Sequence, residues 1–148
     1  MPYQEKQSIV NIFSGLLITA IFAWIIYQRQ ASGLIDLTTD YRQWGVIYLI
    51  FIGVSIVARI IIYIIFHILN AIATRETDIP VTDERDKLIR LKATRNSYNA
   101  FFIGFVPFFL LLAVGIPVFW IFIAFAGCGL ISEIVENISQ IYYYRKGV

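Results

Sequence analysis

The chain reads as an all-α integral membrane protein, a four-helix bundle with a cytoplasmic helical extension ahead of its third transmembrane helix. Its composition sets the class: 59% of the 148 residues are hydrophobic and 16% aromatic, too apolar a balance for a small water-soluble domain. Four stretches, residues 8–27, 45–72, 98–114 and 117–143, are apolar enough to cross a bilayer, which takes about 20 such residues in a helix. The basic residues are polarised along the chain in a way that fits an even number of crossings.

The first apolar run follows Lys6 and continues without a small-residue cleavage pattern into Trp24, Tyr27, Gln28 and Arg29, so it is expected to stay as a helix rather than be removed as a signal peptide. The second run, 45–72, is longer than the hydrocarbon core requires, and tilting or projection past the headgroups both accommodate the excess. A polar segment, 73–97, follows it. Pro80 ends whatever precedes it there, and Thr82 or Asp83 stands as an N-cap before Glu84, Arg85 and Asp86. Acidic residues in a first turn oppose the macrodipole favourably, and Asp83 with Lys87 and Asp86 with Arg90 are spaced as i,i+4 ion pairs. Neither proline nor glycine intervenes before Gly104, so this helix is expected to continue into the third crossing as a stalk. Pro107 is expected to kink that crossing. A turn around residues 114–117 leads into the fourth helix, where Ala124, Gly127 and Gly129, like Gly53 and Ser55 in the second, are small enough for close helix approach.

Lys6, Arg75, Arg85, Lys87, Arg90, Lys92, Arg95, Arg145 and Lys146 fall on one side of such a bundle, against Arg29 and Arg42 on the other. The positive-inside rule then places both termini and the central segment in the cytoplasm, with the protein in the plasma (inner) membrane. Trp24, Trp44 and Trp120 lie near the opposite ends of their helices, where amphipathic rings favour the interface. Contact with anionic lipid explains the basic face, and nucleic acid need not be invoked.

The string Thr82-Asp83-Glu84-Arg85-Asp86-Lys87-Leu88-Ile89, then Arg95-Asn96-Ser97-Tyr98 opening a hydrophobic helix, and the closing Ile141-Tyr142-Tyr143-Tyr144-Arg145-Lys146-Gly147 resemble a group of small prokaryotic four-pass membrane proteins of unknown function that carry an Asp-Glu-Arg-Asp cytoplasmic motif. The resemblance covers roughly the second half of the chain. It implies the same four-pass topology with the motif inside the cell. Some members look like companions of small helix-turn-helix regulators, which points to a regulatory or immunity-type role.

Ionisable residues deep inside apolar runs are the other signal, because a charge near the bilayer centre costs several kcal/mol unless paired or wetted. On the second helix Arg59, Tyr63, His67 and Asn70 share an arc of about 80°; on the fourth, Glu133, Glu136, Asn137 and Gln140 share about 100°. At about 1.5 Å per residue Arg59 lies about 21 Å and Glu133 about 24 Å from the start of their runs, so the two are expected to pair across one polar seam, with His67 and Glu136 both about 30 Å down. Three roles fit such a seam. It can be interhelical glue that fixes register; it can carry ions or protons between Glu133, Glu136 and His67 with Arg59 as counter-charge; or it can line a pocket open to the cytoplasm. Its polar residues stop short of the outer ends, which reads as a plug.

No catalytic residue, metal site or cofactor is expected. His67 lacks the companion ligands of a zinc or haem site, Ser132 lacks the setting of an activated nucleophile, and the single cysteine, Cys128, reads as a small packed apolar residue. The expectation is therefore a non-enzymatic accessory, regulatory or immunity-type subunit that acts through lipids, further copies of itself or other membrane subunits, with Asp83, Glu84, Arg85, Asp86 and Arg90 as the docking segment. The alternative is a small transporter or proton-linked channel built on the seam.

Overall fold

A computed structural model of the protein describes residues 3–74 and 83–147. Arg75, Pro80 and Thr82, to which the sequence assigns a topological charge, a helix stop and an alternative cap, lie outside the described residues. The fold is all-α, and the described residues form four helices: α1 (Tyr3–Ala31), α2 (Tyr41–Thr74), α3 (Glu84–Ala113) and α4 (Val118–Lys146). All four are long and apolar enough to cross a membrane.

Each helix end has a local cause. At the close of α1, Gly33 adopts φ 74° and Leu34 N–H reaches back to Arg29 O at 3.0 Å, a terminus that needs a left-handed residue. Asp36 then folds the loop, taking the hydroxyls of Thr38 and Thr39 on its two carboxylate oxygens and the Thr38 N–H at 2.9 Å. Asp40 caps α2 by accepting Arg42 N–H at 3.1 Å, so that helix begins before the apolar run does. At α3 the cap is Asp83, in an extended conformation, with a full capping box closed by Asp86. The expected stalk is continuous with the third crossing, and α3 runs on through Pro107 to Ala113. Gly115 at φ 78° turns the chain over, Pro117 stands at the start of α4, and Gly147 at φ 76° ends it.

Packing is uneven. Helices α3 and α4 form the closest hairpin, α1 lies against α4, and α2 is held mainly by α1 and by a few large side chains on α4. Helix α4 does this with two adjacent stripes. Phe125, Cys128, Ser132, Ser139 and Tyr143 meet α3, whereas Phe122, Glu133, Asn137 and Gln140 meet α1 or α2.

Two sequence expectations change here. Gly53, Gly127 and Gly129 have nothing within 4 Å of where a Cβ would stand, so they are not points of close approach. Those points are Gly104, where a Cβ would sit 2.6 Å from Cys128 Sγ, and Gly15 on α1. Trp44 is not an exposed interface anchor like Trp24 and Trp120. It is buried, stacked on Phe122 at 5.0 Å, and its indole N–H donates to Leu37 O at 3.0 Å. The loop carbonyl and the aromatic rings of α4 compete successfully with the headgroups for this ring.

Candidate functional site

The Arg59 guanidinium and the Glu133 carboxylate meet between α2 and α4. One guanidinium nitrogen donates to Glu133 Oε2 at 2.7 Å and lies 2.6 Å from Oε1. The second contact is a close ion pair without hydrogen-bond alignment, so Oε1 is buried and receives no aligned donor among the described residues. Glu133 is supported from a third side, which the sequence reading missed: a Cβ on Gly15 of α1 would stand 3.0 Å from Oε1. Gly15 clears the space that the carboxylate occupies.

Away from this pair the seam does not close directly between α2 and α4. Helix α1 is interposed. Tyr63 donates its hydroxyl to Asn11 Oδ1 at 2.8 Å, and Asn11 Nδ2 donates to Asn137 Oδ1 at 3.1 Å. Asn137 in turn donates to the Glu133 carbonyl at 2.9 Å, one turn back. Gln140 accepts from the Ser8 hydroxyl at 2.9 Å. His67 Nδ1 and the Tyr3 hydroxyl are 2.8 Å apart, and Asn70 Oδ1 faces Lys6 Nζ at 3.4 Å. So α1 supplies Tyr3, Lys6, Ser8, Asn11 and Gly15 as the middle layer. Ser8, Asn11 and Gly15 are spaced three and four apart, the period of a helix face, and that small and polar stripe in an apolar run was the signal available in the sequence.

Glu136 is not part of this layer. Its Oε1 accepts from Thr94 of α3 at 3.0 Å. The reason is angular: at 100° per residue Glu136 is about 60° from Glu133 on the side of Ser132, which belongs to the α3 stripe. An arc of about 100° on α4 spans two neighbours rather than one, so His67 and Glu136, expected at one depth of a single seam, face different helices.

Below the seam, near the chain termini, the docking segment is partly committed to the bundle. Asp86 accepts Gln4 Nε2 on Oδ2 at 3.0 Å and the Tyr144 hydroxyl on Oδ1 at 2.9 Å, besides closing the capping box, and so joins α1, α3 and α4. Arg145 pairs with the buried Glu5. The described residues contain these two ion pairs, Arg59 with Glu133 and Arg145 with Glu5. The i,i+4 pairs expected from Asp83 to Lys87 and from Asp86 to Arg90 are therefore not formed, because Asp83 caps the helix and Asp86 is drawn inward. Glu84, Arg85, Lys87 and Arg90 are exposed, and so are Leu88 and Leu91.

No three His, Cys, Asp or Glu side chains gather with metal-site geometry among the described residues. Ser132 shares its hydroxyl with Ser97 at 2.9 Å and donates to the Ser97 carbonyl, a clasp between α3 and α4. Cys128 donates its thiol to Phe101 O at 3.3 Å in the same interface. No protein-family model, no curated protein and no solved structure matches the chain.

Proposed function

We propose that this is a non-enzymatic plasma-membrane accessory subunit, of regulatory or immunity type, that engages partners through the stalk at the start of α3, with termini and stalk in the cytoplasm. The observation that carries the reading is the outward face of that stalk. Glu84, Leu88, Leu91 and Arg95 follow one another at helical spacing, flanked by Lys87, and all five are exposed. Ile89, Ala93 and Ser97 are buried on the opposite face. Two exposed leucines among basic residues make an amphipathic surface suited to a partner with an apolar groove and acidic rim. The clamp of Asp86 by Gln4 and Tyr144 holds that surface at a fixed angle to the bundle.

The polar layer supports the same reading from the other side. Arg59, Tyr63, His67, Asn70, Asn137 and Gln140 are each engaged by another side chain of the chain itself, an arrangement that suits a lock on helix register. One feature favours the second reading, a small proton-linked transporter: Glu133 carries a carboxylate inside a membrane-length helix, and its buried Oε1 receives no aligned donor among the described residues.

A photoreactive residue at Leu91, in cells producing the full chain, separates the two. The accessory reading expects a defined cross-linked polypeptide, lost in Lys87→Glu/Arg95→Glu and kept in Glu133→Gln. No cross-linked polypeptide, together with proton uptake into proteoliposomes that Glu133→Gln abolishes, would establish the transporter instead.

A further inference from the structure

Between α1, α2 and α4, on the loop side of the Arg59 and Glu133 pair, lies a crevice of about 400 Å³. Its wall includes Phe22, Trp44, Tyr48, Phe119, Ile123 and Gly127. The volume is within the range of small-molecule sites, which run from about 300 to 1,000 Å³. Its wall is almost wholly apolar, and an apolar cavity does not hold ordered water. Several wall residues, Ala23, Tyr27, Ile123 and Ala126, are exposed, so the space is reachable from the surrounding hydrocarbon. Of its polar side chains, Tyr48 is bonded to the Phe122 carbonyl, Thr19 lies at one end, and Tyr27 and Gln30 stand together at the other. There Gln30 uses its Oε1 to accept Leu37 N–H at 3.0 Å, while its amide nitrogen and the Tyr27 hydroxyl make no hydrogen bond among the described residues.

We infer that this crevice is a binding site for one fatty-acyl chain, seated with its tail towards Leu130 and its hydrogen-bond-accepting head at Tyr27 and Gln30. The polarity of the site gives the orientation: Tyr27 and Gln30 offer two free donors together where α1 ends and the interface begins, against the single hydroxyl of Thr19 at the Leu130 end. Gly127 has a structural purpose in this account. Nothing lies within 4 Å of a Cβ there, so the glycine leaves room in the crevice instead of bringing helices together. The proposal is independent of what the stalk binds.

The test uses Trp44 as reporter, with Trp24→Phe and Trp120→Phe in the full-length chain, in vesicles of unlabelled phosphatidylcholine titrated with dibromostearic acid. Bromine quenches indole only on contact. Trp44 emission is expected to fall along a saturating curve at low mole fraction, and Gly127→Leu, whose Cβ meets nothing within 4 Å and whose longer side chain takes up crevice space, should abolish the saturating component while leaving the linear collisional part. A chain retaining Trp120 alone gives the background for random contact with bilayer lipid. Trp44 quenching that merely tracks this background overturns the proposal, and so does a saturating curve unchanged by Gly127→Leu.

Discussion

At Glu133 three helices meet on one carboxylate: α4 carries it, α2 supplies Arg59, and α1 supplies the gap at Gly15. Removing one partner strands the other charge in the span, and because the pair is partly exposed Arg59→Gln or Glu133→Gln alone is expected to cost on the order of 2 kcal/mol in a denaturing-detergent titration. Replacing both, as Arg59→Met with Glu133→Leu, should recover most of that loss. Gly15→Val must push the carboxylate aside and is expected to cost about 1–3 kcal/mol in the same titration. Gly104→Ala has the same fault against Cys128 Sγ, and Cys128→Ala in the same chain should restore stability, because the Cys128 Cβ is 3.6 Å from the new methyl position, an ordinary contact. The pair itself was legible in the sequence, since two opposite charges at equal depth in apolar runs have few other ways to be satisfied. The role of Gly15 was not, because its stripe with Ser8 and Asn11 marks a packed face of α1 without saying which side chain that face receives, and Glu136 was assigned to the wrong neighbour because sequence gives an angle around α4 but not where α3 stands.

At the scale of elements, charge patterning identified the stalk and offered Thr82 or Asp83 as its cap; Asp83 is the cap, and it carries a capping box with Asp86 that the pattern did not specify. Asp83→Ala is expected to fray the first turn of α3 at a cost of about 1 kcal/mol, seen as faster amide exchange confined to that turn. The predicted i,i+4 pairs did not form because a capping duty and two hydrogen bonds from other helices outweigh a solvent-exposed ion pair worth a few tenths of a kcal/mol. The first loop gives a pH test with a definite sign. The hydroxyls and amides of Thr38 and Thr39 hold the Asp36 carboxyl well below the usual carboxylate range. Its folded value is thus lower than its unfolded value of about 3.9, so its contribution is fully present above that value and fades as pH falls through the folded one. Trp44, bonded to the Leu37 carbonyl of that loop, should therefore keep its emission unchanged between pH 8 and pH 5, and change only in stronger acid.

For the whole molecule, four helices follow directly from hydrophobic run length, but their neighbours do not. Helix α2 meets α4 at Arg59 and Glu133 as the sequence predicts, but α1, a plain apolar run by composition, is the centre of the polar layer, and α2 is the most lightly held helix. Apolar surface facing lipid looks the same in sequence as apolar surface facing protein, because hydrocarbon tails and leucine side chains are equally oily; only the small and polar positions of α1 distinguish its buried face. The accessory role proposed above rests on the contrast between a seam whose side chains engage one another and a stalk whose outward face is exposed. Native mass spectrometry of the chain gently extracted from its own membrane tests that most directly, with wild type, Lys87→Glu/Arg95→Glu and Glu133→Gln run side by side. The account predicts a stoichiometric second polypeptide with wild type and Glu133→Gln that is absent from the stalk variant. A chain that flies alone or only with copies of itself in all three preparations, or a partner lost from Glu133→Gln and kept by the stalk variant, would contradict it.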